Sequence, residues 1–221
     1  MHIEPGIIDG AKIALSYGTA AAAGGYGLKL AWDTVKERGL TSLAARGLIA
    51  TGAAFSFFQL LPHFPVGVSE VHFILGSTLF LILGAAPAAF GLAMALLLQG
   101  LIFAPFDLPQ YGANLTTLLV PLFAMAALAR RVIAPGTAYV DLSYAQTLKL
   151  STAYQGGVVA WVAFWAFYGQ GLAAWESVAT FGMAYMMVIL IEPLVDLAVL
   201  AGAKSVKDLG KTGLVTPRLF A

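Results

Sequence analysis

The sequence predicts an all-α fold, a polytopic transmembrane helix bundle of about seven helices with its N-terminus outside. Three observations carry that expectation. Hydrophobic residues make up 60% of the 221 residues and charged ones only 10%, against about 25% charged in soluble domains. A soluble domain of this size has too little interior to hide so much apolar surface, so lipid must solvate much of it. The apolar residues also gather into segments near the ~20 residues that span a bilayer core, and the basic residues fall consistently on one side of them.

In chain order the segments are 10–31, 41–61, 71–85, 87–104, 114–133, 146–169 and 174–201. The third is short and contains Gly76 and Gly84, so it reads as a tilted or partly irregular helix; six helices with a re-entrant piece is the rival arrangement. The polar interruption 32–40 reads as a charged hairpin, and 134–145 carries Pro135-Gly136, a turn signal. A basic tail follows from about 202 to 221. The connections 62–70 and 105–113 are rich in Pro and Gly and poor in charge, a composition that lets loops fold back over a buried pocket. With no low-complexity linker and no strong repeat, residues 1–221 read as a single integral membrane domain.

With the N-terminus outside, Lys29, Lys36, Arg38, Arg46, Arg130, Arg131, Lys204, Lys207, Lys211 and Arg218 fall inside, and Lys149 lies at the inner start of the sixth segment. Lys12 alone is left near the outer side. This is the cytoplasmic bias that the positive-inside rule requires. The net charge of +1 gives no reason to propose nucleic acid as a partner. The chain has no cysteine, so thiolate chemistry is excluded and any metal must be held by nitrogen or oxygen. The run Thr19-Ala20-Ala21-Ala22-Ala23 looks like a signal-peptidase site, but Glu4 and Asp9 occupy the place of a positive n-region. Met1 and His2 are therefore expected in the mature chain.

The three histidines, His2, His63 and His72, all fall at or near the outer half of this topology. A His at position two offers an imidazole, a free α-amine and the intervening amide nitrogen to one ion. Amine and amide close one chelate ring, the imidazole closes a second, and a second His from elsewhere supplies a fourth nitrogen. All-nitrogen tetragonal sites suit Ni(II) or Cu(II), and Co(II) is drawn in when supply favours it. Binding requires neutral donors, with reference pKa values of about 6.5 and 7.7–8.0, so capture weakens in acid.

Several motifs then resemble the CbiM/NikM family, the substrate-capture (S) components of cobalt and nickel energy-coupling-factor ABC transporters. They are Met1-His2-Ile3 with Gly6, Pro65-Val66-Gly67-Val68-Ser69-Glu70-Val71-His72, Leu96 to Ala104 followed by Gly112-Ala113-Asn114, and Ile191-Glu192-Pro193-Leu194-Val195. The resemblance runs from residue 1 to about 200. It implies that Met1 and His2, through amine, amide and imidazole, bind cobalt(II) or nickel(II) together with the imidazole of His72, the ion being transported substrate. It also implies partners: a transmembrane coupling subunit and two ATPase subunits, with or without a small accessory membrane subunit. The chain has no Gly-x-x-x-x-Gly-Lys-Ser/Thr loop, so ATP enters only through those partners and the chain itself is expected not to be an enzyme.

The run Phe73-Ile74-Leu75-Gly76-Ser77-Thr78 departs from the Pro and Thr-Gly-Thr-like run usual after the second His, and Pro105-Phe106 stand where a His and glycines are common. A divergent subunit carrying another metal or an organic ligand is the alternative. A third reading, an intramembrane enzyme using Glu192 and Asp196, lacks a nucleophile motif.

The remaining polar residues have two readings each. Asn114, at the head of the fifth segment, is a candidate to orient a ligand His, or an N-cap. Glu70 orients a ligand or attracts cations, or is a solvated loop acid. Glu192 and Asp196, four apart and on one helix face, read as a structural tie or partner contact, with Asp196 nearer the solvated inner end. Gln99 reads as an amide joining helices. His63 matches no ligand position. Trp161, Phe164, Trp165, Phe167, Tyr168 and Trp175 read as an interfacial belt.

Overall fold

The computed structural model describes residues 2–209; Met1 and the basic tail beyond 209, with Lys211 and Arg218, lie outside the described residues. Seven α-helices occur among the described residues: α1 (Lys12–Arg38), α2 (Leu40–Leu60), α3 (Gly76–Leu83), α4 (Ala85–Ile102), α5 (Tyr111–Val132), α6 (Tyr144–Gln170) and α7 (Trp175–Leu209). Between α2 and α3 lies a small antiparallel hairpin, β1 (Phe64–Val66) and β2 (Ser69–Val71), with Pro65 opposite Glu70.

Four helical stretches are long and apolar enough to cross a membrane: Leu40–Leu60, Ala85–Ile102, Pro105–Val132 and Tyr144–Lys207, the last joining α6 and α7. The expected third segment is corrected. Its first residues form β2 and an extended run, and the eight-residue α3 rises only about 12 Å, far short of the ~30 Å hydrocarbon core. Two other boundaries also move. α1 continues through Arg38, so the charged stretch read as a hairpin is mostly helix, and the turn is confined to Gly39, whose φ of 82° ends α1 and lets α2 begin at once. α5 begins at Tyr111, which places Asn114 inside its first turn and leaves Gln110 as the N-cap residue.

α2 and α4 make the most extensive helix pair. A Cβ on Gly91 of α4 would lie 2.4 Å from Ala50 Cβ, so this crossing depends on small residues, the usual way for apolar helices to gain van der Waals contact in lipid. α6 starts with a reciprocal capping box: Ser143 Oγ accepts from Gln146 N at 3.1 Å, and Gln146 Oε1 accepts from Ser143 N at 2.8 Å. Trp165 is fully buried and donates through Nε1 to Thr116 Oγ1 at 3.1 Å, so this member of the expected aromatic belt belongs to the core. Trp175, by contrast, is 67% exposed.

The two ends of the bundle differ in content. One gathers the N-terminal residues, the hairpin, the 3₁₀ segment Pro105–Gln110 and the α6–α7 connection. At the other, Arg46 donates to Leu83 O at 2.7 Å and Lys207 pairs with Asp141 at 2.7 Å.

Candidate metal centre

Residues 2–4 run alongside β2. Ile3 bridges to Ser69, Glu70 N donates to His2 O at 3.0 Å, and Glu4 N donates to Val68 O at 3.1 Å. Ser69 Oγ adds a second donor to His2 O at 2.9 Å. The N-terminal segment is thereby fixed as an extra strand on the hairpin edge and folded into the bundle, with His2, Ile3 and Ile8 all buried. Gly169 of α6 lies so close beneath it that a Cβ there would meet Ile7 O at 1.9 Å.

This docking brings His2 to His72, the residue that follows β2. Their ring centroids are 6.2 Å apart, both side chains are buried, and Phe58 packs edge-on against His72 at 5.3 Å. One donor atom each from His2, Glu70 and His72 lies within 4.8 Å of the others. His72 Nδ1 donates to its neighbour's carbonyl, Phe73 O, at 3.1 Å, while Nε2 is buried and has no partner among the described residues. A backbone carbonyl can only accept, so it fixes the proton on Nδ1 and leaves the Nε2 lone pair free for an ion.

The His2 ring is held from two other elements. Nδ1 pairs with the Asp107 carboxylate in the 3₁₀ segment, and Nε2 lies 2.8 Å from Gln99 Oε1 on α4. Gln99 Nε2 in turn donates to Gln59 Oε1 on α2 at 3.1 Å. A His2 nitrogen that takes an ion must give up one of these partners. Burial, and then the nearby Glu70 and Asp107 carboxylates, push the Glu4 carboxyl above its ordinary value.

Asn114 does not reach an imidazole. Its Oδ1 accepts from Ile3 N at 2.7 Å, so it positions the backbone just after His2. Glu192 accepts from the backbone N–H of Ile74 and of Leu75, the latter at 3.1 Å, and from Gln155 Nε2. Leu75 has a left-handed φ of 52°, and the two bonds hold this strained turn between His72 and α3. Asp196 is buried rather than solvated and accepts from Ser77, at 2.5 Å, and from Thr78 on α3. The α7 acids thus grip the segment after His72, each with its oxygens taken up by donors. His63 is apart from the site, exposed and within 3.3 Å of Leu61 O.

Residues 2–208 match the family model CbiM, the cobalt uptake substrate-specific transmembrane region. The chain belongs to the CbiM family. Two crystal structures share its fold. A transition metal transporter, 18% identical, covers 94% of each chain with a TM-score of 0.73. A truncated transition metal transporter, 20% identical, covers 91% of this chain and 99% of its own with a TM-score of 0.65. No curated protein matches the chain. Membership makes this CbiM chain a multi-pass membrane component of metal uptake, in a family and structural neighbourhood of transporters.

Sequence reasoning overlooked Asp107 and Gln59, and it read Gln99 as a helix–helix amide without its bond to His2. A signal for Asp107 was present: it is the one acid in an otherwise uncharged loop, 105–113, between two apolar helices.

Proposed function

We propose that this CbiM-family chain is the substrate-specific membrane component of an energy-coupling-factor importer for cobalt(II) or nickel(II). The observation that carries the reading is the buried pair His2 and His72, with His72 Nε2 lacking a partner among the described residues. The ion takes the Met1 amine, the residue-2 amide, the His2 imidazole and His72 Nε2. His2, to which Met1 is joined by one peptide bond, is docked in the bundle, which supports adding the Met1 amine to the set.

The site lies on the outer side, and the end bearing Arg46, Arg130, Arg131 and Lys207 faces the cytoplasm, following the positive-inside rule. A transmembrane coupling subunit and two ATPase subunits supply the energy, and the chain itself contributes capture and selectivity. The membrane is the inner membrane of a prokaryotic cell.

The test is metal analysis of protein with a native N-terminus, titrated with nickel and cobalt. His2→Ala, His72→Ala and a one-residue N-terminal extension, which turns the amine into an amide, are each expected to abolish binding in a folded protein. Unchanged binding in all three variants rules the site out.

A further inference from the structure

Glu70 has no assigned part in the four-nitrogen set, yet its position calls for one. Its backbone N–H is bonded to His2 O at 3.0 Å, so it moves as one unit with the first ligand. It sits two residues before His72, and in extended chain such residues project to the same side. The outcome is that donor atoms of Glu70, His2 and His72 all lie within 4.8 Å of one another. Around an ion with bonds of about 2.0–2.2 Å, neighbouring ligand atoms are about 3 Å apart and opposite ones about 4.2 Å. Shifts of an ångström or so close this cluster on a metal.

Two further features fit a ligand rather than a surface acid. The Glu70 side chain is partly buried, and among the described residues its carboxylate accepts no hydrogen bond and forms no ion pair. Of the other acids nearby, Asp107 is committed to His2, Glu192 to Ile74 and Leu75, and Asp196 to Ser77 and Thr78, while Glu4 is not part of the three-residue cluster. The second is the buried His72 Nε2 in the same cluster, without a partner among the described residues.

We infer that Glu70 is a direct metal ligand, an oxygen donor added to the nitrogen set, and that it makes the site select Co(II) over Ni(II). This inference rests on the metal-capture reading above. Four nitrogens in a plane satisfy Ni(II) without a fifth donor, whereas Co(II) readily takes a fifth ligand, and a carboxylate oxygen suits a mixed nitrogen–oxygen site. The carboxylate also offsets the charge of a divalent ion in a site walled by apolar helices.

The experiment titrates full-length native-N-terminus protein with Co(II) and Ni(II) separately and records the visible Co(II) d–d spectrum. The proteins are wild type, Glu70→Gln, Glu70→Asp and His2→Ala. In Glu70→Gln, Co(II) affinity is expected to fall at least about tenfold, since even groups that only orient a ligand are worth 10–100-fold. Ni(II) affinity changes much less, and the Co(II) band changes shape and intensity as the fifth donor is lost. Glu70→Asp, which keeps the charge but draws the oxygen back, is expected to fall between and serves if the Gln variant fails to fold. Unchanged Co(II) affinity and spectrum in Glu70→Gln, or equal losses for both metals, overturn the role of Glu70 while leaving the four-nitrogen site standing. Wild type that binds neither metal, or His2→Ala that binds as wild type does, overturns both.

Discussion

Asn114 Oδ1 accepts the backbone N–H of Ile3 at 2.7 Å, so a residue one turn into α5 fixes the chain immediately beyond His2. Ile3 is fully buried, and no water is available to replace the lost acceptor. Asn114→Ala therefore leaves a buried donor unsatisfied, at about 1–3 kcal/mol. If His2 is a ligand, as proposed, it binds only when docked, and apparent metal affinity is expected to fall between about fivefold and a hundredfold. Hydrogen exchange at residues 2–4 rises in parallel. Wild-type exchange and affinity in this variant exclude Asn114 as the anchor.

Glu192 acts beside the other proposed ligand, His72. Its two oxygens take the N–H groups of Ile74 and Leu75, both buried, and so hold the turn that follows His72. Glu192→Ala strands both donors and is expected to cost about 2–5 kcal/mol of stability, read as a lower midpoint of thermal unfolding in detergent. Glu192→Gln keeps one acceptor oxygen and is expected to retain about half of that stability. Metal affinity follows the same order in the two variants, since a loosened turn moves His72. A Glu192→Ala protein as stable as wild type removes the tie.

The helical content and most of the boundaries were legible because apolar runs of near-spanning length have few other fates. The pairing of His2 with His72 was legible only through motif order, because no periodicity links residues 70 positions apart. The stretch 71–85 reads as a short, tilted or partly irregular helix because it is mostly apolar; what divides it is backbone, the pairing of Val71 with Phe64 in the hairpin and the left-handed Leu75, which composition does not encode. The contacts of Asp107 and Gln99 with His2 are not legible in the sequence for a related reason: both are tertiary contacts with the inserted N-terminal segment, whose position no local pattern gives. Asp196 was placed near solvent by its distance along α7, yet α3 packs over it and buries it.

The α2–α4 crossing gives a stability test free of the metal. A Cβ on Gly91 would lie 2.4 Å from Ala50 Cβ and 2.6 Å from Ala50 carbonyl carbon. Gly91→Ala must push the two helices apart, with an overpacking cost of about 1–3 kcal/mol. Gly91→Ala combined with Ala50→Gly removes the first clash but leaves the second, since that one is with backbone, so the double variant is expected to regain only part of the loss. Thermal unfolding in one detergent across the three variants measures this. Full recovery in the double variant would show that the backbone approach is looser than described.

Gly169 couples the helix bundle to the proposed capture site, and its substitution separates docking from chemistry. The N-terminal segment crosses α6 so closely that a Cβ at Gly169 would stand 1.9 Å from Ile7 O, and the backbone of residue 7 has no flexible end with which to yield. Just beyond, Lys12 Nζ donates to Gly169 O at 2.5 Å and ties the same segment to the C-terminal turn of α6. Gly169→Ala changes no donor atom of His2, Glu70 or His72. It is expected to lift residues 6–8 off α6, pull the docked strand at residues 2–4 out of register with β2, and weaken metal binding by about tenfold or more, as a displacement near an ångström does at a preorganised site. Helix content by circular dichroism stays at the wild-type level, because α6 tolerates alanine better than glycine. Lys12→Met removes the tie without adding bulk and is expected to give a smaller loss of affinity. Gly169→Ala with unchanged metal affinity would mean that the N-terminal segment reaches His72 by a path that does not cross α6.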